Sequence, residues 1–405
     1  MTNHGQTRRR SLHGSLLLLA LWALAGCSDD EPSSGTPEPP LDPALVAQGK
    51  DIFRFDTFGN EVFWTDTARM HEVITAGVSP ALALSVGLKV DADALPQTLK
   101  DAIAAGQVNL DDPATTVALL KLDAVLGLKG TVEQVNGKDT LVRVGVTCAM
   151  CHSRVDDSFA PGIGKRLDGW AATDLDIGAV IALSPAIPDE VKSIMRAWGK
   201  GRYDPRLNQD GINTPIVIPP AYGLRGVARE TYTGEGPVSY WNAYVAVTQM
   251  HGRGNFTDER LGISVQSDPD LVTPKLPALA EYQFSLLAPN AASPSSPTAA
   301  ARGSQVFSGP GRCSTCHLPG QHFTDVNEGV LHAPEETGMA PGYAARTSTK
   351  QYRTTPLRGL SQHPPYYHDG SAATLEAVVA HYNEVLSLRL SAQQQLDLVA
   401  YLRSL

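Results

Sequence analysis

The sequence predicts a mainly α protein made of two tandem copies of one helical domain, the first enlarged by an insertion. Three observations carry that expectation. Ala47-Gln48-Gly49-Lys50-Asp51-Ile52-Phe53 and Ala301-Arg302-Gly303-Ser304-Gln305-Val306-Phe307 share the pattern A-x-G-x-x-[IV]-F. Tyr282-Gln283-Phe284-Ser285-Leu286 and Tyr401-Leu402-Arg403-Ser404-Leu405 share Y-x-x-S-L on a helical pattern. Between these ends each copy has one C-x-x-C-H motif and then one Thr-Pro pair, Thr214-Pro215 or Thr355-Pro356. Signatures recurring in the same order imply duplication of one fold.

Each of the five cysteines has an assignment. Four of them form Cys148-Ala149-Met150-Cys151-His152 and Cys313-Ser314-Thr315-Cys316-His317. Two thiols at this spacing reach the two vinyl groups of one porphyrin, and the adjacent histidine puts an imidazole nitrogen on the iron. The motifs therefore predict two covalently bound haem c groups, with His152 and His317 as proximal ligands. Zinc is the competing use of such residues. Disulfides within each motif are another, and they leave both histidines unexplained.

The fifth, Cys27, ends a leader. Arg8-Arg9-Arg10, an apolar run from Leu16 to Leu24, and Leu24-Ala25-Gly26 before Cys27 read as an export signal over residues 1–26. The Leu-Ala-Gly-Cys ending resembles a bacterial lipobox, so Cys27 becomes the acylated first residue of a lipid-anchored protein facing the periplasm or the cell surface. Ser28, where an inner-membrane retention signal places aspartate, favours the outer membrane. Residues 27–43 are the anchor and a polar, proline-containing tether that cannot form a core.

Loss of residues 1–26 removes three arginines and no acids, taking the formal charge from −9 to −12. That balance argues against nucleic acid as a partner. It suits a basic electron donor, although acidic soluble proteins are common.

The first domain spans 44–288. In it Cys148 follows Phe53 by 95 positions, whereas Cys313 follows Phe307 by six, so residues 54–147 read as an insertion. Within it, Asp112-Pro113 followed by Ala114 to Val125 predicts a capped helix. Asn136-Gly137 between apolar runs predicts a hairpin that delivers the chain to the first motif. The insertion either covers a haem face or forms a partner surface.

A Ser/Pro/Ala stretch at 289–298 reads as a linker to the second domain, 299–405. There Ser391 and Gln394 form a capping-box pattern, with Leu396, Val399, Ala400 and Leu402 as the expected buried stripe. Gly49 and Gly303 are placed where the first and last helices of each copy cross, the signature of the cytochrome c fold.

Thr355-Pro356-Leu357-Arg358-Gly359-Leu360, Pro365-Tyr366-Tyr367-His368-Asp369-Gly370-Ser371 and Thr374-Leu375-Glu376-Ala377-Val378 resemble the bacterial di-haem cytochrome c peroxidases and the MauG-like enzymes. The first domain resembles them only in its haem motif, Asn213-Thr214-Pro215 and the Gly234-Glu235-Gly236 turn. The resemblance implies that the C-terminal haem relays electrons to a reactive N-terminal haem. It also implies Arg358 as a propionate partner. The second iron's sixth ligand, a methionine in the peroxidases and a tyrosine in the MauG-like branch, falls at Tyr382. His381 and Met339 are the alternatives. Calcium occurs in relatives, but no ligand cluster in this sequence supports it.

The distal side of the first haem departs from the peroxidase pattern. Thr231-Tyr232-Thr233-Gly234-Glu235-Gly236 replaces a Trp-Asp-Gly-Arg segment, leaving Tyr232 or Trp241 to stand in for the tryptophan between the haems. Gln249-Met250-His251 lies where distal groups belong. Gln249 and His251 are candidate catalytic groups, while Met250 or His251 as a sixth ligand closes the iron. His71 is a more remote candidate.

Three functions follow: a peroxidase-like or MauG-like oxidoreductase acting with hydrogen peroxide, an electron-transfer cytochrome with two six-coordinate haems, or a di-haem oxygenase using dioxygen. Each takes electrons from a small redox protein of the cytochrome c or cupredoxin type.

Overall fold

The structure is a computed structural model that describes residues 38–291 and 296–405. The leader, Cys27 and residues 292–295 of the expected linker lie outside the described residues. Among the described residues no helix is long and apolar enough to cross a membrane.

Helix α1 (Pro43–Phe55) starts where Asp42 accepts a hydrogen bond from the Ala44 amide, with proline in its first turn. It crosses a helix near the end of the first half, Leu276–Ser285. A Cβ on Gly49 would come within 1.9 Å of the Ala278 carbonyl oxygen, so the backbones meet where a side chain is missing. The second half repeats this. Helix Pro297–Ser308, capped by Ser296, crosses the C-terminal helix Ala392–Leu402. A Cβ on Gly303 would come within 2.0 Å of the Asp397 carbonyl oxygen. Edge-on aromatic pairs close both crossings, Phe53 with Tyr282 at 5.5 Å and Phe307 with Tyr401 at 5.3 Å.

Between the crossings of the first half lies the segment 54–147. It contains α2 (Met70–Gly77), α3 (Pro113–Lys121) and a hairpin of β1 (Leu128–Val135) and β2 (Lys138–Val146). Asn136 and Gly137, both with positive φ, make the two-residue turn. Asp112 caps α3 as its sequence predicts, but the helix stops at Lys121, short of the expected Val125. Val125 instead bridges to Val90.

Side chains then imitate a strand edge alongside β2. The Asn60 amide donates to the Val146 carbonyl at 2.8 Å and accepts from the Val146 amide at 3.0 Å. Thr65 does the same for Val144, donating at 3.2 Å and accepting at 3.0 Å. Asn60 is completely buried. These bonds hold the strand that leads directly into Cys148.

Helix Pro297–Ser308 begins two residues before the expected domain start at 299. The box at Ser391 forms, with Gln394 returning to the Ser391 amide. The stripe of this helix differs from expectation: Leu398, Val399 and Leu402 are buried, while Leu396 is 61% exposed. At about 100° per residue, Leu396 lies on the far side from Leu398.

The described residues form a single compact unit. Polar contacts, among them the buried Arg346–Asp204 ion pair, join its two halves. Arg346 donates to Asp204 at 2.9 Å and to Asp210 at 2.8 Å. Glu235, from the Gly-Glu-Gly turn, accepts from Arg206 at 2.5 Å and from the Ser348 amide at 2.9 Å. Leaving either charge unpaired costs far more than the pair contributes, so these contacts fix how the halves meet.

Candidate functional site

Each C-x-x-C-H motif opens onto its own cavity. The first, about 390 Å³, is lined by Cys148, Cys151 and His152. The second, about 470 Å³, is lined by Cys313, Cys316 and His317. Both volumes lie in the range of cofactor pockets.

The histidines are set up as ligands. His152 Nδ1 lies 3.1 Å from the Pro219 carbonyl oxygen, and His317 Nδ1 lies 3.0 Å from that of Phe323. A carbonyl only accepts, so Nδ1 carries the proton and Nε2 keeps its lone pair for a metal. Burial pushes the pKa of His152 down to about 4 and lowers that of His317, which keeps both rings neutral. The cysteines are free thiols. Burial pushes Cys148 and Cys151 up to about 12, which keeps these thiols protonated before anything is attached to them. These residues fit a haem held through two thioethers and one imidazole.

The insertion forms a wall of the first cavity, through Trp64, Met70, Ile74, Leu119 and Val144. Of its two sequence alternatives, the structure places it over the first haem motif.

Gln249 and Met250 line this cavity and are buried. The Gln249 amide is held at both ends: its oxygen accepts from Tyr203 at 2.8 Å, and its nitrogen donates to Asn208 at 3.1 Å and Thr248 at 2.9 Å. Both N–H groups are used, and the oxygen keeps one lone pair.

His251 lies outside the cavity, exposed and stacked on Phe63 at 3.6 Å. Its expected distal position fails for a local reason. The helix Val238–Tyr244 continues as a π-turn over Val245–Gln249, and His251 then leaves in the left-handed region with φ 61°. His71, on α2, is also absent from the cavity lining.

In the second half, Tyr382 and Met339 line the cavity. His381 does not; its Nε2 lies 2.8 Å from the Thr337 carbonyl oxygen. Both sit on the helix Leu375–Val385, which separates adjacent side chains by about 100°. Burial pushes Tyr382 up to about 12, with the nearby Cys316 and Cys313 adding to the effect. Arg358 lines the cavity and donates from Nη1 to the Gly223 carbonyl at 2.6 Å and to the Arg225 carbonyl at 3.4 Å. Tyr232 lines the second cavity and Trp241 the first.

Three residues escaped the sequence reading, His332, Glu230 and Arg353, whereas His368 entered it only as part of the His-Asp-Gly motif. His332 lines the second cavity, 2.9 Å from Asp325, and its ring also faces Cys316. His368 of the His-Asp-Gly turn is buried, stacked on Tyr352 at 4.5 Å and bonded to its hydroxyl at 3.0 Å. Glu230 and Arg353 line both cavities.

No protein-family model matches the chain. Over 120 residues it is 30% identical to the methylamine utilization protein MauG of Methylorubrum extorquens, covering 26% of this chain and 34% of that protein. The chain therefore spans about a third of the length of the curated relative it matches. Among solved structures, hydrazine synthase of Kuenenia stuttgartiensis pressurized with xenon gives a TM-score of 0.37 at 19% identity, covering 52% of this chain and 78% of that one. A MauG-like protein associated with microbial copper homeostasis gives 0.35 at 17% identity, covering 49% and 77%. Scores this low carry no argument about the fold. Together with the two C-x-x-C-H motifs, the sequence match shows that part of this chain resembles MauG-like proteins.

Proposed function

We propose that this protein is an exported, lipid-anchored di-haem c-type cytochrome with peroxidase-like or MauG-like oxidative activity. One haem is bound through Cys148, Cys151 and His152, the other through Cys313, Cys316 and His317. The haems supply one-electron chemistry and, at an accessible iron, activation of an oxygen-containing substrate. The observation that carries this reading is the inequality of the two cavities.

Tyr382 in the lining of the second cavity supports the reading that it would hold the sixth position there, which would suit an electron-relaying site. The first cavity holds the amide of Gln249, immobilised by Tyr203, Asn208 and Thr248. Its remaining lone pair can accept one O–H from hydrogen peroxide and orient it. The wall built from the insertion lines this cavity with apolar side chains. Arg358 is suited to a propionate of the second haem.

Met250 in the lining of the first cavity favours a second reading, an electron-transfer cytochrome with both irons closed. The acidic chain suits a basic one-electron donor of the cytochrome c or cupredoxin type.

Two assays test the proposal. Mass spectrometry of the exported protein should find two covalent haems and an acylated Cys27, and the reduced protein should consume hydrogen peroxide. Two haems without peroxide consumption would leave the carrier reading; fewer than two would overturn the di-haem reading.

A further inference from the structure

Among the described residues six line both cavities: Pro219, Pro220, Leu224, Glu230, Thr231 and Arg353. Among them only Glu230 and Arg353 are charged. Their side chains, each 7% exposed, form an ion pair at 3.1 Å.

Backbone contacts hold the pair in place. Arg353 Nη1 donates to the Arg229 carbonyl at 2.5 Å, and the Arg353 amide donates to the Tyr232 carbonyl at 2.9 Å. The Glu230 amide donates to the Gly236 carbonyl at 2.8 Å. Pro219, at the start of the same wall segment, accepts from His152 Nδ1.

The pair is incomplete. Glu230 Oε1 and Arg353 Nε are both buried and have no hydrogen-bond partner. An orphaned acceptor and an orphaned donor side by side in a wall between two cavities are costly unless another group meets them. A water at a haem edge can donate to Glu230 and accept from Arg353, and a haem propionate can accept from Arg353.

We propose that Glu230, held by Arg353, is a proton acceptor shared by the two haems, taking up a proton when either iron is reduced. One electron from a one-electron donor enters an iron, and one proton from solvent converts the Glu230 carboxylate to the carboxylic acid. The added negative charge at the cofactor is thereby cancelled within the wall, and both irons respond to the same group. The inference rests on the di-haem reading.

The surroundings support such a role. Burial pushes the Glu230 pKa up to about 7, against the opposing pull of Arg353, then Arg358 and the Thr231 amide. Negative charge arriving nearby raises it further, so uptake accompanies reduction. By linkage, the reduction potentials become more negative as pH rises through the window above that value.

Potentiometric titration of the two-haem protein across this pH range, monitored by visible spectra, provides the test. Haem content is measured first, so failure of the di-haem reading is scored separately. Both potentials of the wild-type protein should fall with rising pH, and Glu230→Gln should remove that dependence from both haems at once. Persistence of the slope in the variant, or its loss at one haem alone, would overturn the proposal. Should Glu230→Gln fail to fold, the reduced-minus-oxidised infrared spectrum of the wild-type protein decides. A protonated-carboxyl band that appears on reduction and shifts in Glu230→Asp supports the proposal; absence of that band overturns it.

Discussion

Tyr382 lines the second cavity, whereas its neighbour His381 turns away and bonds the Thr337 carbonyl at 2.8 Å. Helical geometry forbids both from reaching one iron. Replacing Tyr382 by Phe should therefore change the absorption and magnetic spectra of one haem and leave the other intact. His381→Gln should leave both spectra unchanged and cost about 1 kcal/mol of stability from the lost hydrogen bond. The reverse pattern would assign the ligand to His381.

The glycine crossings predict a matched pair of stability losses. Gly49→Ala and Gly303→Ala each put a methyl group against a carbonyl oxygen, at 1.9 Å and 2.0 Å before relaxation. Overpacking of this kind costs about 1–3 kcal/mol. Urea denaturation should show both midpoints falling.

Asn60 links the hairpin to the first haem motif. Asn60→Ala leaves the buried amide and carbonyl of Val146 without side-chain partners, at a cost of about 1–3 kcal/mol. Because β2 leads into Cys148, haem occupancy of the peptide carrying Cys148 and Cys151 should fall, while that of the Cys313 peptide is retained. Peptide mass analysis reads both.

His332 gives a pH signature. Its pKa is raised to about 10, first by the hydrogen bond to Cys316 and then by Asp325 and Glu336. A raised folded-state pKa contributes stability that is fully present below the unfolded value, about 6.5, and is lost as pH rises toward the folded one. Thioether formation removes the Cys316 contribution and narrows the window. Thermal stability should decline through the alkaline range, and His332→Gln should flatten that decline.

Local backbone chemistry was legible in the sequence. The Ser391 box, the Asp112 cap and the Asn136-Gly137 turn each depend on a few adjacent residues, and each forms as its residues require. The buried face of the last helix was less so. Leu396 is apolar and correctly spaced from Val399, but the partner helix crosses at Asp397 and Tyr401, and Leu398, Val399 and Leu402 are the apolar residues buried there. His251 was misplaced because a π-turn shifts the phase of the side chains after Tyr244, and apolar periodicity does not reveal such a turn. Glu230 and Arg353 are far apart in the chain, and the folding of both halves brings them together. No motif spacing signals such a pair.

In the proposed function the two haem sites are unequal, the first open and the second closed by Tyr382. Electron paramagnetic resonance of the oxidised two-haem protein distinguishes such sites directly. One high-spin and one low-spin ferric signal of equal intensity are expected, with Tyr382→Phe altering only the low-spin one. Two low-spin signals, both unchanged by hydrogen peroxide, would contradict it.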